Sequence, residues 1–119
     1  MKTSELTGTA LDWAVAKCEG IVLHHAIQPH GYLEILFNET NGGDVFTPSN
    51  DWAQGGPIIE RESLQLLNEV KGGHFAMRWR RNEGYGKHVG YGPTPLIAAM
   101  RCYVASKLGD EVEIPEELT

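Results

Sequence analysis

The sequence predicts a single small α+β domain in which a mainly antiparallel sheet packs against an N-terminal and a C-terminal helix. Three observations support this prediction: a capped helical stripe near the C terminus, a stretch of strict two-residue alternation before it, and a chain of 119 residues, which suits one core. Residues 1–119 are therefore taken as one domain, with 110–119 as an acidic tail.

The first predicted element is a helix from about Thr9 to Glu19, followed by Gly20, a residue that commonly ends helices in the left-handed conformation. The apolar residues of this segment fall mostly on one helical side: Leu11, Trp13, Ala14, Val15 and Cys18. The runs IVLHHAI and YLEILF come next, separated by the turn-forming QPHG, and they predict a β-hairpin over 21–37.

The middle of the chain is less regular. NETNGGD is a polar loop, and Pro48 with the Ser-Asn-Asp group predicts a turn or a helix start. Residues 57–70 fit a helical stripe, which we favour, but Leu64 and Leu66 also fit an extended alternation.

The stretch GGHFAMRWRR is the clearest predicted strand. Its period of two predicts a buried face with Phe75, Met77 and Trp79, and a wet face with His74, Ala76, Arg78 and Arg80. NEGYGKHVGYG follows as a return strand or a mobile loop, so the sheet is expected to combine 21–37 with 74–91.

The last helix has a signal at each end. Thr94 is a good N-cap, Pro95 suits the first helical position, and Gly109 stands just past the end. Apolar residues recur at steps of three and four, which leaves Arg101 and Lys107 for the outer side. In the tail, Val112 and Ile114 are expected to dock.

Composition excludes several classes of protein. No run reaches the roughly 20 apolar residues that cross a bilayer, and the start lacks a secretory signal, so no membrane contact and a cytoplasmic location are expected. Reduced thiols are therefore expected for Cys18 and Cys102. A net charge of -6 argues against broad nucleic-acid affinity.

Three long motifs carry a resemblance to a known family: LTGTALDWAVAKCEG, TPSNDWAQGGPIIERE and GPTPLIAAMRCYVASKLGDEVEIPEEL. With these motifs the chain resembles the phage P22 NinX-like proteins, and more loosely the phage αβα-sandwich domain. The resemblance implies a small sheet covered by helices and a bacterial host cell during phage development. It carries over no catalytic residue.

The sequence contains no local signature of an enzyme. His24, His25, His30 and Glu34 suggest metal ligands, but adjacent strand residues point to opposite faces and the spacing fits no known ligand pattern. Neither a nucleophile elbow nor a phosphate-binding glycine loop is present. We expect no catalytic residue, no metal and no cofactor.

Two candidate surfaces remain, and each predicts a different function. The corner SNDWAQGGPIIERE offers Trp52, Gln54, Gly55, Gly56 and Glu60 for a small ligand or a protein partner, and folding alone also explains it, because Gly55 and Gly56 allow unusual backbone angles. The basic and aromatic region offers possible nucleic-acid contacts in Arg78, Arg80, Arg81, Tyr85 and Lys87.

The favoured function is therefore a non-enzymatic phage accessory protein that acts through protein contacts. Its expected partners are an unknown phage or host protein and a second copy of the chain in a homodimer, which the opposite charges of 71–88 and 109–119 favour. The alternative is weak binding of single-stranded nucleic acid.

Overall fold

The computed structural model describes residues 1–21, 23–27, 33–36, 45–68, 72–80, 84–115 and 118, with the backbone alone for 24–27, 33–36, 78–80 and 84–87. In chain order the elements are a 3₁₀ turn Thr3–Glu5, α1 Gly8–Glu19, β1 His24–Ile27, β2 Leu33–Leu36, α2 Trp52–Arg61, β3 Leu64–Asn68, β4 His74–Arg80, β5 Gly84–Gly92 and α3 Pro95–Leu108. The predicted α+β class is confirmed.

The described strands form two antiparallel sheets. β1 pairs with β2, which confirms the predicted hairpin, and β3, β4 and β5 form a three-stranded sheet in that order. The expectation of one sheet combining 21–37 with 74–91 is wrong for the described residues, because β3 occupies the place beside β4 and β2 lies against α1. The turn QPHG and the loop NETNGGD lie outside the described residues.

Residues 57–70 divide between a helix and a strand. α2 ends at Arg61, and Ser63 takes a φ of 55°, a left-handed conformation that does not continue a right-handed helix. From there Leu64 and Leu66 pack toward the core. The favoured helical interpretation is therefore correct only to Arg61, and the extended alternative is correct from Leu64 to Asn68.

α1 and α3 end at the residues that the sequence predicts. The Thr94 hydroxyl accepts a hydrogen bond from the Ile97 amide at 3.1 Å, and Pro95 is the first residue of α3. Gly109 follows α3 with a φ of 87°, and Gly20 follows α1 with a φ of 71°. These caps confirm both predicted helices.

The three-stranded sheet and α3 approach each other most closely at Gly90. A Cβ atom at Gly90 would collide with the carbonyl oxygen of Ala98 and the amide nitrogen of Cys102, both in the α3 backbone. Ala76, the partner of Gly90 on β4, is fully buried. These two small residues allow the helix backbone to lie directly on the sheet.

This contact decides which face of β4 points inward. Because successive side chains of a strand point to opposite faces, Phe75 and Met77 lie on the face opposite Ala76. The prediction that Phe75 and Met77 form the buried face and Ala76 the wet face is therefore wrong. The period of two is correct, but the faces are exchanged because α3 leaves room only for small side chains.

The N-terminal segment pairs with the C-terminal tail. Met1 and Val112 exchange two main-chain hydrogen bonds of 3.0 Å, and Val112 is buried. Ile114 is partly buried against the core, so the predicted docking of both residues is confirmed. Arg101 is not on the outer side of α3 as predicted. Its guanidinium donates to the carbonyl of Leu6 at 2.7 Å and to that of Tyr91 at 2.8 Å, so it joins the N-terminal segment to β5.

The close packing at Gly90 makes Gly90→Ala a test of the fold. We expect the free energy of unfolding to fall by about 1–3 kcal/mol, the usual cost of overpacking, because the added methyl group meets main-chain atoms that cannot rotate away. Urea denaturation measures the change as a shift of the midpoint at constant slope.

Val89→Ala is the matched control, because Val89 precedes Gly90 in β5 and is half-buried on the opposite face. We expect it to cost less than about 1 kcal/mol. A Gly90→Ala protein as stable as the parent would contradict the close approach of α3 to the sheet.

Candidate functional site

The outer face of the three-stranded sheet carries apolar side chains in two neighbouring rows. Leu67, Phe75 and Tyr91 stand opposite one another across the three strands, and Met77 stands opposite Val89 in the next row. Leu67 is 41% exposed and Tyr91 59% exposed. The rings of Phe75 and Tyr91 lie 5.9 Å apart, within the range of aromatic pairs. We call these five residues the outer apolar face.

The outer apolar face is separate from the core. Within the part of the chain that the structure describes, none of its side chains belongs to the buried cluster or to the partly buried side chains packed against that cluster. The side chains of Leu66 and Ala76, on the other face, do belong to these groups. The sheet therefore has a covered inner face and an apolar outer one.

The corner that the sequence offers as a docking site is the start of α2. The Asp51 carboxylate caps this helix by accepting a hydrogen bond from the Ala53 amide at 3.0 Å. Trp52 is 54% exposed, and Glu60 is exposed about 12 Å further along the helix axis. These two candidate residues are accessible but are not brought together.

Gln54, Gly55 and Gly56 have structural contacts instead. The Gln54 amide accepts from the Thr47 main-chain amide at 3.0 Å and donates to the Val45 carbonyl at 3.1 Å, which holds the preceding loop on the helix. The predicted unusual angles at both glycines are wrong, because both are helical with negative φ.

The two glycines occupy these helical positions for different reasons. A Cβ atom at Gly55 would lie 2.5 Å from the Pro48 carbonyl oxygen and 2.7 Å from a Leu96 methyl carbon, so Gly55 makes the corner compact. A Cβ atom at Gly56 would meet no atom within 4 Å outside its chain neighbours. Gly56 precedes Pro57, however, and the proline ring disfavours helical angles for a preceding residue that has a Cβ.

A charged cluster joins the C-terminal ends of α1 and α2 to the side of α3. Arg61 binds the Glu19 carboxylate through two hydrogen bonds of 3.0 and 2.5 Å, and the Tyr103 hydroxyl donates to the same carboxylate at 2.5 Å. Burial acts to raise the pKa of Glu19, but the hydrogen bonds from Arg61 and Tyr103 outweigh it and lower the pKa. Burial, with the bond to Glu19, raises the pKa of Tyr103.

Burial favours the neutral forms of the Cys18 thiol and the Tyr103 phenol. Cys18 and Cys102 are free thiols, as expected from the sequence. Burial and the nearby Glu19 charge raise the pKa of Cys18 to about 12, so the thiolate form is scarce at neutral pH. The Tyr103 hydroxyl donates a hydrogen bond to Glu19 and accepts one from Arg61, so this cluster holds the three helices together.

The side chains of the candidate metal ligands lie outside what the structure describes. His30 lies outside the described residues, and His24, His25 and Glu34 are described by their backbone alone. Among the residues that the structure describes, no three His, Cys, Asp or Glu side chains come together as metal ligands would.

The candidate nucleic-acid residues fall mainly on the hairpin of β4 and β5. Arg78 is paired with Leu64 on one side and with His88 on the other, and Arg80 is paired with Gly84 beyond an irregularity in register. Tyr85 and Lys87 belong to β5, where the structure describes their backbone alone. Arg81 lies outside the described residues.

Sequence reasoning missed Asp12, a buried carboxyl in the middle of α1. It is 4% exposed, and its Oδ1 accepts a hydrogen bond from the Ser49 amide at 2.9 Å. Burial raises its pKa from 3.8 to about 6, although the hydrogen bonds from Ser49 act in the opposite direction. The available signal was an acidic residue between Leu11 and Trp13 within an apolar helix.

Asp12 lies beside a surface pocket of about 320 Å³. The pocket is lined mainly by small polar residues near the start of α1: Thr7, Gly8, Thr9, Asp12, Thr47, Ser49, Asn50 and Ile97. Because Asp12 already accepts from Ser49, it ties the 48–50 turn to α1. This role is structural.

The fold is that of a small α+β domain, and the family comparison supplies the class of protein, a phage accessory protein. The protein-family model described as "Bacteriophage P22, NinX" matches residues 2–107, and the chain belongs to this family. The family resemblance drawn from the three motifs is thereby confirmed. No curated protein matches the chain. No helix in the described part of the chain is long and apolar enough to cross a membrane.

Asp12→Asn is expected to change the dependence of stability on pH. The pKa of Asp12 is about 6 when folded and 3.8 in its ordinary state, so the folded protein holds this proton more tightly. The parent therefore loses the contribution of protonated Asp12 as pH rises through this interval. The variant does not titrate there, so its stability relative to the parent should rise by up to about 3 kcal/mol between about pH 4 and pH 7.

Urea titrations at several pH values in this range measure the difference directly. Asp110→Asn is the control, because it makes the same substitution at an exposed position. If the difference in stability between Asp12→Asn and the parent stays constant across this range, the Asp12 carboxyl does not have the raised pKa that its burial implies.

Proposed function

We propose that this NinX-family member is a non-enzymatic phage accessory protein that acts by binding another protein through its outer apolar face. The observation that carries the proposal is the row of Leu67, Phe75 and Tyr91, which lies on the sheet surface away from α3. We prefer the outer apolar face to the corner at Trp52 as the main contact surface, because Gln54 and Gly55 of the corner are already engaged in packing against the preceding loop.

The energetics favour a partner for this surface. Covering a side chain of the size of leucine or phenylalanine contributes roughly 1.5–3 kcal/mol, so a row of such residues provides a useful part of an interface. Aromatic residues in the centre of a contact patch are typical of protein interfaces. Contiguous apolar surface that is not part of the core commonly marks an interaction site.

The chemistry of the described residues supports binding over catalysis. Cys18 has a raised pKa, Tyr103 is bonded on both sides of its hydroxyl, and Asp12 is engaged by Ser49. An enzyme needs a nucleophile or an acid–base pair that can reach a substrate. These groups are occupied in holding helices and turns together.

Nucleic-acid binding through Arg78, Arg80 and Arg81 is the alternative, and it predicts a strong dependence on salt. The net charge of -6 opposes the approach of phosphates. We expect fluorescence anisotropy to detect no binding to labelled single-stranded DNA or RNA at about 0.15 M salt. Micromolar or tighter binding that is lost in the triple Arg-to-Glu variant would replace the protein-contact proposal with this alternative.

Site-specific photocrosslinking in infected host cells tests the protein contact. We place benzoylphenylalanine at Tyr91 on the outer apolar face, and at Trp52 on α2 as the matched control, because both positions are exposed aromatics. The expected result is a protease-sensitive, nuclease-resistant adduct from position 91 that Leu67→Ser reduces at least tenfold. Position 52 should give no such adduct.

Two results would overturn the assignment. A nuclease-sensitive adduct at position 91 would favour nucleic acid as the ligand. An adduct from position 52 and none from position 91 would return the contact surface to the corner of Trp52 and Glu60.

A further inference from the structure

We propose that the pocket at the start of α1 binds a primary ammonium group on a short aliphatic chain, and that the Asp12 carboxylate recognises the charge of this group. The pocket lies between the start of α1, residues 47–50 and Ile97 of α3. It shares no residue with the outer apolar face, so this inference is independent of the proposed function and is tested separately.

The structural role of Asp12 uses only part of its hydrogen-bonding capacity. Its partners among the described residues are the main-chain amide and the hydroxyl of Ser49. An ionised carboxylate has about four acceptor positions, so roughly half of them remain for another donor. Asp12 is 4% exposed, yet it contributes to the lining of a surface pocket. A ligand in this pocket therefore meets a carboxyl group that is otherwise withdrawn from water.

The Asp12 charge has no compensating cation. Its pKa responds to burial and to Ser49 alone, so no charged side chain of the described residues stands close enough to stabilise the ionised form. Arg101 of α3 donates to two main-chain carbonyls instead, and Asp51, which follows the pocket residues in sequence, caps α2. A buried carboxylate without a counter-ion attracts a cation more strongly than an exposed one, because water does not screen its charge.

The other walls of the pocket suit an ammonium group on an aliphatic chain. An ammonium group has three donors and no acceptor, so one bond to Asp12 leaves two donors for neighbouring oxygens. Thr9 lies three residues before Asp12 and therefore on the same side of α1. Ile97 offers an apolar contact for the chain. The volume of about 320 Å³ is near the lower end for ligand pockets, which indicates a small ligand.

The first turn of α1 also lines this pocket, and its main-chain amides alone would favour an anion. The helix dipole acts mainly within the first turn and amounts to about half an elementary charge. Asp12 is the fifth residue of α1 and carries a full charge when it is ionised. The carboxylate therefore outweighs the helix end, and a cation is the preferred occupant.

A titration followed by NMR tests the proposal on the purified full chain. We follow the amide signals of Thr9, Ser49 and Asn50 at about pH 7 while adding butylammonium chloride, with 1-butanol as the neutral control and sodium butyrate as the anionic control. We expect saturable shifts in the millimolar range for butylammonium alone. Equal shifts with sodium chloride would show a general effect of salt, and equal shifts with butanol an apolar cleft, and either result would overturn the proposal.

The dependence of binding on pH tests whether Asp12 is the recognising group. The pKa of about 6 means that Asp12 changes from mostly ionised at pH 7 to mostly protonated at pH 5, whereas an aliphatic ammonium stays charged. No other ionisable side chain lines the pocket. The affinity for butylammonium should therefore fall about tenfold between pH 7 and pH 5. Constant affinity over this range would contradict the role of Asp12.

Substitutions in the pocket provide a second test. Asp12→Asn keeps an oxygen for the Ser49 amide but removes the charge, so binding should weaken at least tenfold, whereas Asp110→Asn at an exposed position should leave it unchanged. Thr9→Val removes one hydroxyl at nearly constant shape and should weaken binding about threefold. Thermal melts establish that the variants are folded. If Asp12→Asn does not fold, Thr9→Val and the pH series of the parent decide the question.

A lysine blocked at its main-chain amino and carboxyl groups distinguishes two sources of the ammonium group. If blocked lysine binds as tightly as butylammonium, the occupant is a lysine side chain of another polypeptide. If butylammonium alone binds, the occupant is a free aliphatic amine. Both results support the site, and failure of both probes to bind would overturn it, while the photocrosslinking result at position 91 would still decide the proposed function.

Discussion

The contact between the backbone of α3 and the backbone of β5 is the constraint on which the rest of the fold depends. At Gly90 the helix main chain occupies the space that a side chain would need, and at Gly92 a Cβ atom would lie 2.9 Å from the Ala98 amide nitrogen. The inner face of the sheet must therefore be nearly free of large side chains at this point. Beside this contact, the large apolar residues of β4 and β5 lie on the other face, where Phe75 and Tyr91 form a pair.

A second constraint comes from the way in which the helices are joined. The C-terminal ends of α1 and α2 both reach the side of α3 at Tyr103, where Glu19 and Arg61 are bonded to each other and to the phenol. Such a bidentate arginine–carboxylate pair has a demanding geometry, so it fixes the relative positions of three elements at once. As a result, the polar groups of Glu19, Arg61 and Tyr103 bind one another and hold the helices in place.

The parts of the structure that the sequence predicts well are those governed by local rules. Thr94, Pro95 and Gly109 mark α3, Gly20 ends α1, and the two apolar runs before residue 37 form a hairpin. Capping and turn formation depend on a few neighbouring residues, so the chain alone contains the necessary information.

The errors arise where a distant contact decides the outcome. The alternation in β4 was visible, but which face is buried depends on how closely α3 approaches, and that depends on Gly90 in another strand. The sequence suggests freedom of φ as the role of the glycines of α2, whereas Gly55 is required because the Pro48 carbonyl is close. The same dependence applies to the candidate surface. That Leu67 and Tyr91 share one exposed face becomes evident only when the faces of the sheet are assigned.

The N-terminal segment pairs with residues near the other end of the chain, so the order of synthesis limits when the domain can close. Met1 bonds to Val112, 111 residues away, and Arg101 of α3 holds the carbonyl of Leu6. A ribosome releases the chain from its N terminus, so the first six residues emerge long before their partners exist. The core of α1 can form early, but the closing contacts must wait until residue 112 has left the exit tunnel. These closing contacts therefore depend on the synthesis of Arg101 and Val112, and a nascent chain stalled before Arg101 would keep its N-terminal segment unpaired.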